Sequence, residues 1–92
     1  MPTGKQGPPG PLARATSAEI RAAMARERMS GARLAEEAGM SQSYVSRRLL
    51  DEAPFTLNDI EPICAALKQE LCPFLATVLR SMEEHCASGV NA

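Results

Sequence analysis

Residues Gly31 to Leu50 read GARLAEEAGMSQSYVSRRLL, and the fold turns on this stretch. Ser30, just ahead of it, and Ser41, within it, belong to the residue types that cap helix starts, because a hydroxyl oxygen can accept an unpaired N–H of the first turn. The spacing of Leu34, Ala35 and Ala38 predicts a helix over Gly31–Ala38 with those residues inward. Gly39 ends it, since a sharp turn needs a residue that tolerates positive φ. A second helix is predicted from Gln42 to Leu50, with Val45 and Leu49 facing inward one turn apart. Two helices that cross steeply need a small residue where their backbones approach, which Ala35 supplies, and a branched plug at the junction, which Val45 supplies. Leu34 and Met40 flank these as core residues. The pattern is Ala, three residues, Gly, five residues, Val: two short helices joined at a tight corner.

Outward from this corner, the chain reads as all-α. Ala, Leu, Glu, Arg and Met abound, and β-branched residues are scattered. Towards the N-terminus, Thr16-Ser17-Ala18-Glu19 has the form of a capping box, so the first helix is predicted to begin there, with Ile20, Ala23 and Met24 inward and Arg21, Arg26 and Arg28 outward. Ahead of it, residues 1–15 are rich in proline and glycine and are expected to form a disordered leader. An arm that follows a DNA groove through Lys5 and Arg14 is the alternative use of this segment. Towards the C-terminus, Asp51-Glu52-Ala53-Pro54-Phe55 reads as a loop. A fourth helix is predicted from Thr56 or Asn58, with Asp59 or Glu61 as its acidic capping partner and Leu57, Ile60, Ile63, Cys64 and Leu67 buried. Pro62 should kink or tighten its first turns. A fifth helix is predicted from about Cys72, with Pro73 at its first position, to about Cys86. The expectation is one domain over residues 16–88, which suits a chain of 92 residues.

Met29-Ser30, Gly39-Met40-Ser41-Gln42-Ser43 and Phe55-Thr56-Leu57, added to the Ala–Gly–Val spacing, resemble the helix-turn-helix of the lambda repressor and Cro superfamily, the XRE-like DNA-binding regulators, over about Ile20 to Leu79. The resemblance implies a five-helix, lambda-repressor-like DNA-binding domain whose third helix enters the major groove of duplex DNA. Gln42, Ser43, Ser46 and Arg47 would then face base edges: Gln42 can bond adenine twice, the serines can serve donors or acceptors, and Arg47 can reach guanine or phosphate. Arg33, Ser41, Tyr44, Arg48 and Arg14 would meet the sugar-phosphate backbone. Any one of these polar residues equally suits a solvated helix face; it is the set, at the start of a capped helix behind Gly39, that favours recognition. The resemblance also implies a homodimer through the C-terminal helix on an inverted-repeat operator, its two recognition helices about 34 Å apart. Phe74, Leu75, Val78, Leu79 and Met82 would form that dimer interface, although the same residues could all serve the core of one chain. The chain departs from the family at Gly31, where Gln is common, at Arg48, where an apolar residue is usual, and at Lys68-Gln69, where the fourth helix lacks its usual terminal glycine.

Charge agrees with this reading in its distribution and not in its total. Formal net charge is −1, yet residues 14–50 hold seven arginines against four glutamates, a net of +3. Residues 51–92 hold two basic against seven acidic residues, a net of −5. One basic half and one acidic half is the asymmetry of a molecule that turns one face to phosphates. The leading expectation is a sequence-specific transcriptional regulator, a phage-type repressor or Cro-like protein or a small host regulator. A protein-interaction module such as an antitoxin or antirepressor is the alternative. An enzyme is not expected, because a single His, no paired acids and no glycine-rich phosphate loop leave catalysis without its parts. No cofactor or small-molecule ligand is expected. His85 beside Cys86 has no second ligand pair and reads as an ordinary helix end, so no metal is expected either. Three cysteines without CxxC spacing, no signal sequence and no apolar run of bilayer length lead to the expectation of a cytoplasmic protein with reduced thiols, in a prokaryotic or phage-infected cell.

Overall fold

Five helices follow one another in the computed structural model, which describes residues 7–89 and their side chains as far as Glu84. They are α1 (Pro11–Glu27), α2 (Gly31–Ala38), α3 (Gln42–Leu49), α4 (Leu57–Ala66) and α5 (Leu71–Gly89), with no strand among the described residues. The all-α reading therefore holds, and the predicted bounds of α2 hold to the residue.

The N-terminus is where the expectation fails. α1 starts at Pro11, five residues before the predicted capping box, and residues 11–15 are helix, not leader. Proline is well placed at a first helical position, where its missing N–H would have had no partner. The Thr16 hydroxyl does not cap; it donates to the Leu12 carbonyl 2.7 Å away, one turn back. Glu19 takes Arg26 at 3.1 Å. α1 packs along α5 and also against α3, with Ile20 and Ala23 fully buried.

Side-chain caps place the starts of α2, α3 and α4. The Ser30 hydroxyl accepts the Arg33 N–H at 3.1 Å, and the Ser41 hydroxyl accepts the Tyr44 N–H at 3.1 Å. Thr56 and Asp59 form the capping box of α4. Pro62 lies inside α4, whose helix runs on to Ala66. α5 begins one residue before the predicted start; the Glu70 carbonyl accepts the Phe74 N–H at 3.1 Å, and Pro73 takes the third position, where an N–H would again be unpaired. Four helices close on a left-handed residue: Arg28, Gly39, Asp51 and Lys68, at φ of 53°, 75°, 62° and 59°. Lys68 thus does the work of the absent glycine.

The core joins all five helices: Ile20 and Ala23, Leu34 and Ala35, Val45, Ile60, Ile63 and Leu67, and Phe74 and Val78 are buried. Leu57, predicted to lie on the buried face of α4, is 87% exposed, because as the first residue of the helix it projects beyond the packed layer. No single helix among the described residues is long and apolar enough to cross a membrane; α4 and α5 pass that test only together and are bent by 114° at the break between them.

Candidate nucleic-acid interface

α3 has two sides that its sequence separates cleanly. Val45 is fully buried and Leu49 partly so, while Ser41, Gln42, Ser43, Ser46 and Arg47 are exposed. At helical spacing, residues 42, 43, 46 and 47 share one face, so the four side chains assigned to base edges form a single polar surface. Arg47 lies 3.9 Å from Glu52, an exposed pair loose enough to exchange for another anion. The corner before this face is rigid: Gly39 sits at φ 75°, and the Met40 N–H closes on the Ala35 carbonyl at 2.9 Å.

The five backbone-contact candidates fare differently. Ser41 is exposed and caps α3. Arg33, on the surface of α2, bonds Glu37 at 2.6 Å, an exposed contact one turn apart. Arg14 is exposed in the first turn of α1. Tyr44 and Arg48, by contrast, are half-buried and bonded within the protein. The Tyr44 hydroxyl donates to Asp59 Oδ2 at 2.7 Å, and the Arg48 guanidinium lies 3.5 Å over the Tyr44 ring. Arg48 also donates from Nη1 to the Tyr44 carbonyl at 3.2 Å, and its Nε, buried, has no hydrogen-bond partner among the described residues. Burial, and then the bond to the Asp59 carboxylate, push the Tyr44 phenol above its ordinary pKa, since both favour the neutral form.

A second polar cluster closes the far end of α3. Arg21 donates from Nη1 to the Leu49 carbonyl at 2.6 Å and lies 3.7 Å from Asp51. The Ser17 hydroxyl, 1% exposed, donates to Asp51 Oδ1 at 2.6 Å. Sequence reasoning missed all three roles. Arg21 reads as one arginine on a solvated face, and Ser17 as part of a cap. The available signal was the i, i+4 spacing of Ser17 and Arg21, which puts both on one stripe of α1.

On α5, Phe74 and Val78 are each 1% exposed and belong to the core, so they cannot meet a second subunit. Leu75 and Leu79 are 37% and 54% exposed, and Met82 is partly exposed. Among the described residues no group of three His, Cys, Asp or Glu side chains could hold a metal, and the side chains of His85 and Cys86 lie outside those residues. Cys64 is buried, and burial raises its thiol pKa, whereas Cys72 is exposed.

No protein-family model matches the chain, and no curated protein matches it. Two solved structures, both of the clp gene regulator ClgR from Corynebacterium glutamicum, are similar to it. One has a TM-score of 0.69 at 23% identity, covering 80% of this chain and 95% of that one. The other has a TM-score of 0.74 at 22% identity, covering 90% of this chain and 87% of that one. At such identities the likeness is one of fold: the five-helix arrangement found here is one that a regulator of gene expression also uses.

Proposed function

We propose that the chain is a sequence-specific duplex-DNA-binding transcriptional regulator of the lambda repressor and Cro type, which inserts α3 into the major groove. The observation that carries this reading is the exposed face of Gln42, Ser43, Ser46 and Arg47, at the leading end of a capped helix behind a left-handed glycine. Bidentate and single hydrogen-bonding groups stand together there, one helix diameter wide, as base-edge reading requires. Arg33, Ser41 and Arg14 serve the phosphates; the Arg33–Glu37 bond is a solvent-exposed pair that water and salt weaken, so a phosphate can displace Glu37. The fold shared with ClgR supports the class. Leu75, Leu79 and Met82 form the contact between two copies, setting two α3 helices on an inverted repeat. Occupancy of that operator regulates transcription, with no cofactor, in the cytoplasm. The exposed leucines on α5 also suit the alternative, a protein-interaction module such as an antitoxin or antirepressor.

Selection of duplexes from a random pool by the purified chain, followed by titration at several salt concentrations, tests the reading. DNA binding is expected to weaken steeply as salt rises, because cationic side chains release counterions from phosphates. A chain that enriches no sequence, or that binds with no salt dependence, is not such a regulator.

A further inference from the structure

α3 is eight residues long, and Val45 is its one fully buried side chain. Tyr44 and Leu49 add partial burial against the core, and because apolar contact is non-directional these contacts hold the helix against the body while leaving its aim to directional bonds. The directional contacts stand at its two ends. Near its start, Tyr44 bonds Asp59 Oδ2, and the same oxygen accepts the Thr56 N–H at 2.9 Å, so the carboxylate is itself anchored by the capping box of α4. At its end, the Leu49 carbonyl, one of the last four that lack a helical partner, receives Arg21 of α1, whose positive charge also suits the negative end of a helix. Asp51 carries the chain out of α3 in the left-handed conformation and is bonded by the buried Ser17. Each end of α3 is therefore tied to a different helix.

We propose that Tyr44 and Arg21 are positioning residues for DNA recognition, setting the angle and depth of α3 without touching the nucleic acid; this rests on the reading of α3 as the helix that enters the groove. A phenol and an arginine beside a basic helix would otherwise count as phosphate contacts, and the two roles have different signatures. A phosphate contact serves every sequence alike, and a cationic one contributes to the salt slope. A positioning contact matters only where base edges must be met, because bonds between α3 and bases depend on its aim.

The test measures binding of wild type, Tyr44→Phe and Arg21→Gln to the duplex that wild type selects and to a scrambled duplex of equal length, over a salt series, well below the melting temperature of each variant. Tyr44→Phe is expected to weaken the selected duplex about 10-fold, the low end of the effect of one hydrogen bond to a charged group, and to leave the scrambled duplex unchanged. Arg21→Gln, whose shorter, neutral side chain gives up the bond to the Leu49 carbonyl, is expected to retain the salt slope and to weaken the selected duplex while leaving the scrambled duplex unchanged. The Tyr44→Phe effect is expected to vanish in an Asp59→Ala background, since the phenol acts through that carboxylate. Equal losses on both duplexes, or a slope shallower by about one in Arg21→Gln, overturn the positioning role while leaving the DNA reading in place. A wild-type chain that shows no preference between the duplexes removes the DNA reading, and the positioning role with it.

Discussion

Arg28, Asp51 and Lys68 adopt backbone angles that L-residues with a Cβ enter at a cost of about 1–2 kcal/mol, and they do so for different reasons. Lys68 is exposed and serves to close α4, its N–H meeting the Ala65 carbonyl at 3.1 Å. Replacing it by glycine removes the strain but adds freedom to the unfolded chain, so Lys68→Gly is expected to raise stability by about 0.5–1 kcal/mol, read as a higher denaturant midpoint at unchanged slope. Asp51 has the same conformation, but its carboxylate holds Ser17 and faces Arg21. Asp51→Gly is therefore expected to bring no gain, because Ser17 exchanges a 2.6 Å bond to a carboxylate for the Arg14 carbonyl at 3.2 Å and Arg21 loses its anion, which offsets the relief of strain. A gain from both substitutions would mean that the Asp51 cluster contributes nothing. At the recognition face, Gln42→Ala is expected to weaken the selected duplex by about 1–3 kcal/mol and to relax preference at one base pair, as gel-shift titration against single-base variants would show. It should leave the melting temperature in place, since Gln42 is exposed.

Among the elements, α5 divides its apolar residues between two tasks that spacing alone does not separate. Phe74 and Val78, four residues apart, lie on the stripe that packs inward, while Leu75 and Leu79, each one position further on, lie on the adjoining stripe and remain exposed. Phe74→Ala is expected to cost about 3–5 kcal/mol of folding stability through lost burial and the cavity left behind. Leu79→Glu is expected to leave the fold intact and to convert a dimer to monomers in analytical ultracentrifugation. A wild-type chain that is already monomeric at high concentration ends the dimer proposal without touching the assignment of the core. α3 shows the opposite economy. It buries Val45 with part of Tyr44 and Leu49, and adds polar ties to α1 and α4.

For the molecule as a whole, two protons report on packing. The Tyr44 phenol and the Cys64 thiol both hold their protons more tightly folded than unfolded: the phenol through burial and then its bond to Asp59, the thiol through burial. Their contribution to stability is thus complete below the unfolded values, 10.0 for the phenol and 9.0 for the thiol, and is lost as pH climbs through the raised folded values. Thermal melts from pH 8 to 11 are expected to show a falling melting temperature above about pH 9, with a shallower fall in Tyr44→Phe. An identical fall in the variant would show that the phenol titrates as it does in the unfolded chain. Much of this architecture was legible in the sequence. Ser30, Gly39, Ser41 and the Thr56–Asp59 pair declare their helix ends because capping is local, made between a side chain and a backbone within three residues. The inward Leu34, Ala35 and Val45, and the outward Gln42, Ser43, Ser46 and Arg47, follow from helical period. Residues 11–15 read as leader because proline both breaks and begins helices, and which of these it does depends on whether the following turns find a surface to pack on, here that of α5. The partners of Tyr44 and Arg21 in other helices could not be read at all. Asp59 is 15 residues from Tyr44 and Leu49 is 28 from Arg21, and no local rule links positions so far apart. By itself, then, the sequence determined the helical class, the caps of α2, α3 and α4 and the polar face that α3 presents. Tertiary structure alone decided how α3 is held and which leucines of α5 stay exposed, because those outcomes depend on which surfaces meet once the chain has closed.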